Sequence, residues 1–142
     1  STIVFAPTST PRSSSANERL GDRLMAYGQL EEAIDAYSEA IDADYDNPTL
    51  YFKRAIAFTD LIDESSNSPL DPLEAAITNY TAAIQLDETL ADAYLRRGLL
   101  YYELWTIHDE FADESRADLE YYLTLSVDTE NVTVNQILDE LP

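Results

Sequence analysis

The sequence predicts an all-α fold built as stacked helical hairpins, and three observations predict it. From about Ser15 onward apolar residues recur at helical spacing, and no stretch keeps the strict alternation of a half-buried strand. Two fragments, EEAIDAYSEAIDAD at 31–44 and EAAITNYTAAIQLD at 74–87, repeat small residues and tyrosine at matching places. Polar punctuation rich in Asp, Asn, Ser, Pro and Gly separates the periodic segments, as turns between helices require.

Each element has its own signals. Ser15 and Glu18 form a capping box for a first helix that carries Leu20, Leu24 and Tyr27 and stops at Gly28, a residue free to turn left-handed. The second helix runs from about Leu30 to Ala43, with Ala33, Ile34, Tyr37, Ala40 and Ile41 on one face. In DYDNP, Asn47 caps and Pro48 takes the first helical position of the third helix, whose inner face holds Tyr51, Ala55 and Phe58. That helix fades at DESSNSPLDP, after which Asp71 caps and Pro72 starts a fourth helix over about 72–86. Thr89 or Leu90 opens a fifth bearing Tyr94, Gly98 and Tyr101; a sixth, about 109–126, carries Phe111, Ala117, Tyr121 and Leu125. Thr133 and Gln136 frame a short seventh, about 133–141, whose Val134, Ile137, Leu138 and Leu141 would cover an otherwise exposed end.

Side by side, the helices fall into three pairs. Leu20, Gly21, Leu24, Gly28, Ala33, Tyr37 and Ala40 mark the first; Tyr51, Ala55, Phe58, Ala76, Tyr80 and Ala83 the second; Tyr94, Gly98, Tyr101, Ala117, Tyr121 and Thr124 the third. This pattern resembles the tetratricopeptide repeat (TPR) family, whose unit is a helix-turn-helix of about 34 residues. The resemblance implies an α-solenoid of three pairs, at about 14–47, 48–90 and 91–131, with the seventh helix as terminal cap. Gly21, Ala55 and Gly98 stand where the first helix of each pair approaches the second, received by Ala33, Ala76 and Ala117. Two features depart from the family: the intra-pair turn is longer than in the first pair by nine residues in the second and seven in the third, and no proline ends each repeat. Residues 1–13, within the Ser/Thr/Pro-rich STIVFAPTSTPRSSSA, read as a flexible linker ahead of a domain at 14–142.

Composition narrows the function. The 142 residues hold 28 acidic and 8 basic side chains, a formal charge of -20, so nucleic acid and anionic lipid are poor partners. Without cysteine there is no disulfide, thiolate chemistry or Cys-ligated zinc, and the compartment stays open between cytoplasm and export. No apolar run reaches the roughly 20 residues of a membrane-spanning helix, so direct membrane insertion is not expected.

The first helices of the pairs, within 14–27, 48–61 and 91–106, are nearly neutral, with six basic residues (Arg19, Arg23, Lys53, Arg54, Arg96, Arg97) against five acidic ones. Arg19, Lys53 and Arg96 occupy equivalent places, which stack. They form either a cationic ladder for a carboxylate-bearing partner or a solvated set neutralised by neighbours such as Asp92, four residues before Arg96. The resemblance implies a concave groove lined by Arg19, Asp22, Met25, Phe52, Lys53, Ile56, Leu95, Arg96, Leu99 and Tyr102. The expected function is therefore a protein-interaction module that takes a peptide or helix of a protein partner, apolar with at least one carboxylate. The alternative is self-association through the seventh helix or through Tyr101, Tyr102, Tyr121 and Tyr122. In some TPR domains Lys, Asn and Arg side chains clamp the C-terminal carboxylate of a chaperone. That set fails here, because Glu18, Asp22, Lys53 and Asp92 replace its members and Arg96 alone agrees.

No cofactor and no enzymatic activity are expected. His108 with Asp109, Glu110, Asp113 and Glu114 reads as a solvated helix start rather than a metal or acid-base site. The oxygen-rich insert of Asp60, Asp63, Glu64, Asn67 and Asp71 lacks the glycine and spacing of an EF-hand. Trp105 reads as an anchor for the longer third pair.

Overall fold

The computed structural model describes residues 10–64 and 70–142, and these form seven helices: α1 Ser14–Ala26, α2 Leu30–Ala43, α3 Pro48–Glu64, α4 Leu70–Leu86, α5 Ala91–His108, α6 Ala112–Leu125 and α7 Val132–Glu140. They pack as hairpins, α1 on α2, α3 on α4 and α5 on α6, which join through α2 against α3 and α4 against α5. This is the predicted all-α solenoid. Residues 1–9 of the expected linker and Asn67 of the insert lie outside the described residues.

Local chemistry sets the boundaries. Gly28 adopts φ 71°, and the N–H groups of Gly28 and Gln29 donate to the carbonyls of Met25 (3.0 Å) and Leu24 (2.9 Å), closing α1 with a Schellman motif. Asn47 Oδ1 accepts from the Thr49 N–H at 3.1 Å, and Pro48 begins α3 as expected.

Four boundaries differ from expectation. Ser13, not Ser15, caps α1, its hydroxyl accepting from the Ala16 N–H at 3.2 Å; Glu18 is thereby released for a contact described below. α4 starts at Leu70, so Asp71 and Pro72 lie in its first turn, where a missing N–H leaves no helical bond unmade. α6 starts at Ala112 because Asp109 (φ 59°) and Phe111 (φ 69°) both turn left-handed, which places Phe111 at the cap rather than on the helix. Asn131, not Thr133, caps α7, its Oδ1 accepting from the Val134 N–H at 3.0 Å.

The close approaches are real in all three pairs. A Cβ at Gly21 would stand 2.5 Å from the Tyr37 ring, one at Gly98 would stand 3.0 Å from Leu119, and Ala55 is fully buried beside Ala76 and Tyr80. The third pair corrects the register. Ala117 is exposed, and so are Tyr121 and Thr124. Ser115, Leu119 and Tyr122 are buried in the places that Ala33, Tyr37 and Ala40 hold in the first pair. A serine fits this tight crossing because its hydroxyl donates to the Gly98 carbonyl at 2.9 Å, leaving no orphaned polar group. The third turn is therefore longer than the first by five residues, not seven.

The expected cap is present. Val134, Ile137 and Leu141 are buried against Leu119 and Tyr122, with Leu138, Leu95, Leu99, Tyr102 and Trp105 packed around them. Arg116 on α6 fastens the end of α7 by donating to the carbonyls of Leu138, Leu141 and Pro142 at 3.2, 2.7 and 3.1 Å.

Candidate functional site

The odd-numbered helices share one face, and their side chains reach sideways from each to the next. From α3, Lys53 donates to Glu18 Oε1 (2.7 Å) and Asp22 Oδ2 (2.8 Å) on α1. From α5, the Arg96 guanidinium lies 5.9 Å over the Phe52 ring of α3. Tyr102 of α5 donates to Glu140 of α7. These links tie the rods into one continuous strip.

Asp22 is held from a second side. The buried Tyr37 phenol of α2 donates to its Oδ1 at 2.8 Å. Burial, and then the bond to Asp22, raises the Tyr37 pKa well above the ordinary tyrosine range. Burial draws the Lys53 pKa down, but its bonds to Asp22 and Glu18 outweigh that and leave it raised. Lys53, Glu18, Asp22 and Tyr37 thus form a closed network in which each charge faces its opposite.

This network revises the expected ladder. Arg19 and Arg96 are exposed, but the charge of Lys53 is spent on two carboxylates, so the row of cations is interrupted at its centre. No Asp92–Arg96 ion pair forms among the described residues; the contact over Phe52 is what Arg96 makes instead.

Arg54 and Arg97 leave the shared face altogether. Arg54 donates through Nε to Asn79 Oδ1 (2.8 Å) on its own partner helix and through Nη1 to Ser38 Oγ (2.9 Å) on the helix before. Arg97 repeats this one pair later, with Nε and Nη2 on Asp118 (2.7 Å each) and Nη1 on Thr81 Oγ1 (2.9 Å). Each arginine staples three helices and sets the stacking of one pair on the next. Neither belongs to the near-neutral layer in which the sequence count put it. The signal was present in KRA and RRG, two adjacent cations at matching places, of which one faces out and the other back.

Of the candidate groove residues, Met25, Phe52 and Ile56 are half-buried on the shared face, Met25 against the Ala33–Tyr37 cluster and Phe52 and Ile56 against the central core. Phe52 meets Tyr80 edge-on at 5.8 Å, which fixes its ring. Leu95, Leu99 and Tyr102 are also half-buried but pack on the α7 cluster, so they form the end wall of the strip. His108 is exposed, and no group of three or more His, Asp or Glu among the described residues is arranged to hold a metal ion. Trp105 is the anchor it was expected to be, 5.8 Å from Tyr102 and packed on the cap cluster.

Comparison with known proteins places this architecture. A family model described as TPR repeat matches residues 21–61 and 72–104. The chain is 35% identical over 81 residues to human DnaJ homolog subfamily C member 3, covering 57% of this chain and 14% of that protein. It is 31% identical over 123 residues to mouse RNA polymerase II-associated protein 3, covering 83% of this chain and 16% of that protein. It thus spans about one-seventh of the length of these relatives. Among solved structures, the first TPR of Spaghetti (RPAP3) bound to the HSP90 peptide SRMEEVD superposes with a TM-score of 0.70 at 25% identity, over 93% of this chain and 94% of that one. The P58(IPK) TPR domain gives 0.73 at 26% identity, over 89% of this chain and 32% of that one.

Proposed function

From the premise that this chain belongs to the tetratricopeptide repeat family, we propose that it is a non-enzymatic protein-interaction module that binds a peptide segment of a partner on the concave face of α1, α3 and α5. The observation that carries this reading is likeness over nearly the whole chain to a domain solved with a peptide bound. The shared face supplies what such a ligand needs. Met25, Phe52 and Ile56 offer half-buried apolar surface, and Arg96 offers an exposed guanidinium fixed over Phe52. Apolar burial gives affinity and the placed charge gives direction.

The preferred segment is apolar with a single carboxylate, not an acidic tail. Lys53 is neutralised by Glu18 and Asp22, and the exposed Asp92 adds further negative charge one turn before Arg96. A tail with several carboxylates therefore meets repulsion from Asp92 and from the Glu18 and Asp22 carboxylates between the two exposed cations, Arg19 and Arg96. Most of the side chains expected to mediate self-association are engaged within the chain, although Tyr121 stays exposed. Val134, Ile137 and Leu141 of α7 are buried within the chain; Tyr122 is buried, Tyr101 stacks on Phe111, Tyr121 lies against Tyr94 and Tyr102 bonds Glu140.

Fluorescence anisotropy tests the reading with two labelled heptapeptides, SRMEEVD and one of leucine and phenylalanine with a single aspartate. The apolar peptide is expected to bind more tightly, and Arg96→Glu to weaken it about tenfold or more, as loss of a charge-assisted contact does. Tighter binding of SRMEEVD, or no effect of Arg96→Glu, would contradict it.

A further inference from the structure

A second cleft, absent from the face just described, lies where the first turns of α4 and the last turns of α5 meet the start of α6. Leu73, Ile77, Tyr101, Leu104 and Phe111 line it, and its volume is about 450 Å³. Phe111 stacks on Tyr101 with ring centroids 5.5 Å apart, yet remains 39% exposed. The backbone at Phe111 is left-handed (φ 69°, ψ 22°), a conformation that glycine or asparagine would take with less strain. An aromatic side chain kept at such a position, half in solvent, indicates that the ring is wanted at the mouth of the cleft.

Charge identifies what fits there. Glu74 lines the cleft, and Glu114 is near enough to the Tyr101 phenol to act on its ionisation. Asp109 and Glu110 precede Phe111, and Asp113 follows it; all are exposed. Among the described residues no Lys or Arg lines this cleft, and Arg97, 6.0 Å from the Tyr101 ring, is committed to Asp118. An apolar floor with Glu74 in its wall and Glu114 close to Tyr101, on a chain of charge -20, complements a cationic, apolar ligand. We propose that this cleft is a second docking site, which takes a lysine-rich segment of another protein through one large apolar side chain seated on Tyr101, Leu104 and Phe111.

The test uses a 14-residue peptide of lysine and leucine at helical spacing with one tryptophan, and its counterpart with every lysine replaced by glutamate. Each is titrated into the isotope-labelled chain and followed by amide chemical shifts and tryptophan fluorescence. The lysine peptide is expected to shift Ile77, Leu104 and Phe111, and the glutamate peptide is not. Glu74→Lys with Glu114→Lys should weaken binding at least tenfold. Glu31→Lys with Glu32→Lys, the same change of charge on exposed positions of α2, should weaken it less than twofold. Phe111→Gly, which relieves the backbone while removing the ring, should also cost tenfold with helicity retained. Equal losses in the two charge pairs would reduce the effect to diffuse attraction and overturn the proposal. Shifts confined to Met25, Phe52, Ile56 and Arg96 on the face described above would overturn it too, as would unchanged binding by the folded Phe111→Gly variant.

Discussion

The Arg97 guanidinium meets the Asp118 carboxylate through two parallel hydrogen bonds, Nε to Oδ2 and Nη2 to Oδ1, each 2.7 Å, with the two side chains 16% and 8% exposed. Burial alone lowers the arginine pKa, but the Asp118 bonds and charge more than restore it. Asp118→Ala would strand a buried guanidinium. We expect it to cost about 3–5 kcal/mol in urea unfolding, the range for breaking one side of a buried pair. Asp118→Asn should cost less, about 1–2 kcal/mol, because Arg54 is satisfied by the neutral Asn79 in the equivalent place. Equal losses from the two substitutions would mean that charge, not geometry, holds the staple.

Gly21 and Gly98 fill the same role with different tolerances. Alanine gains about 1 kcal/mol of helix propensity over glycine, whereas overpacking costs about 1–3 kcal/mol. At Gly21 the new methyl would meet three atoms of the Tyr37 ring at 2.5–2.8 Å, and the bond to Asp22 keeps that ring from swinging away. Gly21→Ala should therefore lower the melting temperature by several degrees. At Gly98 the nearest atoms stand at 3.0–3.1 Å, so Gly98→Ala should be milder. The reverse order in a thermal melt would show that the first hairpin packs more loosely than described.

Much of this was legible in the sequence because it is a matter of spacing. The paired helices, the glycine and alanine crossings of the first two pairs, and the capping role of α7 follow from periodic apolar and small residues, which the chain states directly. The third pair misled because smallness was read as the criterion for a crossing. Ala117 is smaller than Ser115, but the serine hydroxyl satisfies itself on Gly98 and the slot goes to it. The helix starts misled for a related reason: Ser13, Ser14 and Ser15 offer the same hydroxyl, and only the path of the chain selects Ser13. The shared face was legible as a list of positions but not as a distribution of charge. Adjacent cations such as Lys53 and Arg54 point to opposite sides of a layer, and pairing across helices decides which remain available. Asn17 illustrates the limit. It is buried where Tyr51 and Tyr94 stand in the later pairs, with its Oδ1 unpaired, and nothing in its neighbourhood of sequence announces that.

Stability should fall at alkaline pH. The pKa values of Tyr37 and Lys53 are raised by folding, so each group favours its protonated form in the native state. Their contributions are fully present below the ordinary values of about 10, and are lost as pH rises through the raised ones. Urea midpoints should be level from pH 7 to 9 and decline beyond about pH 10. Tyr37→Phe should start from a lower midpoint and decline less steeply. A variant that declines as steeply as the parent would place the alkaline sensitivity elsewhere, for instance in Tyr80 or Tyr101, both also raised by burial.

The central claim is that the face shared by α1, α3 and α5 receives the peptide. It is tested most directly by mapping amide chemical shifts as the apolar, single-aspartate heptapeptide is added. The account predicts that the amides of Met25, Phe52, Ile56 and Arg96 move together in one saturable step, while those of the outward-facing Ala117 and Tyr121 stay still. Saturable binding that leaves Phe52 and Arg96 unmoved would contradict it.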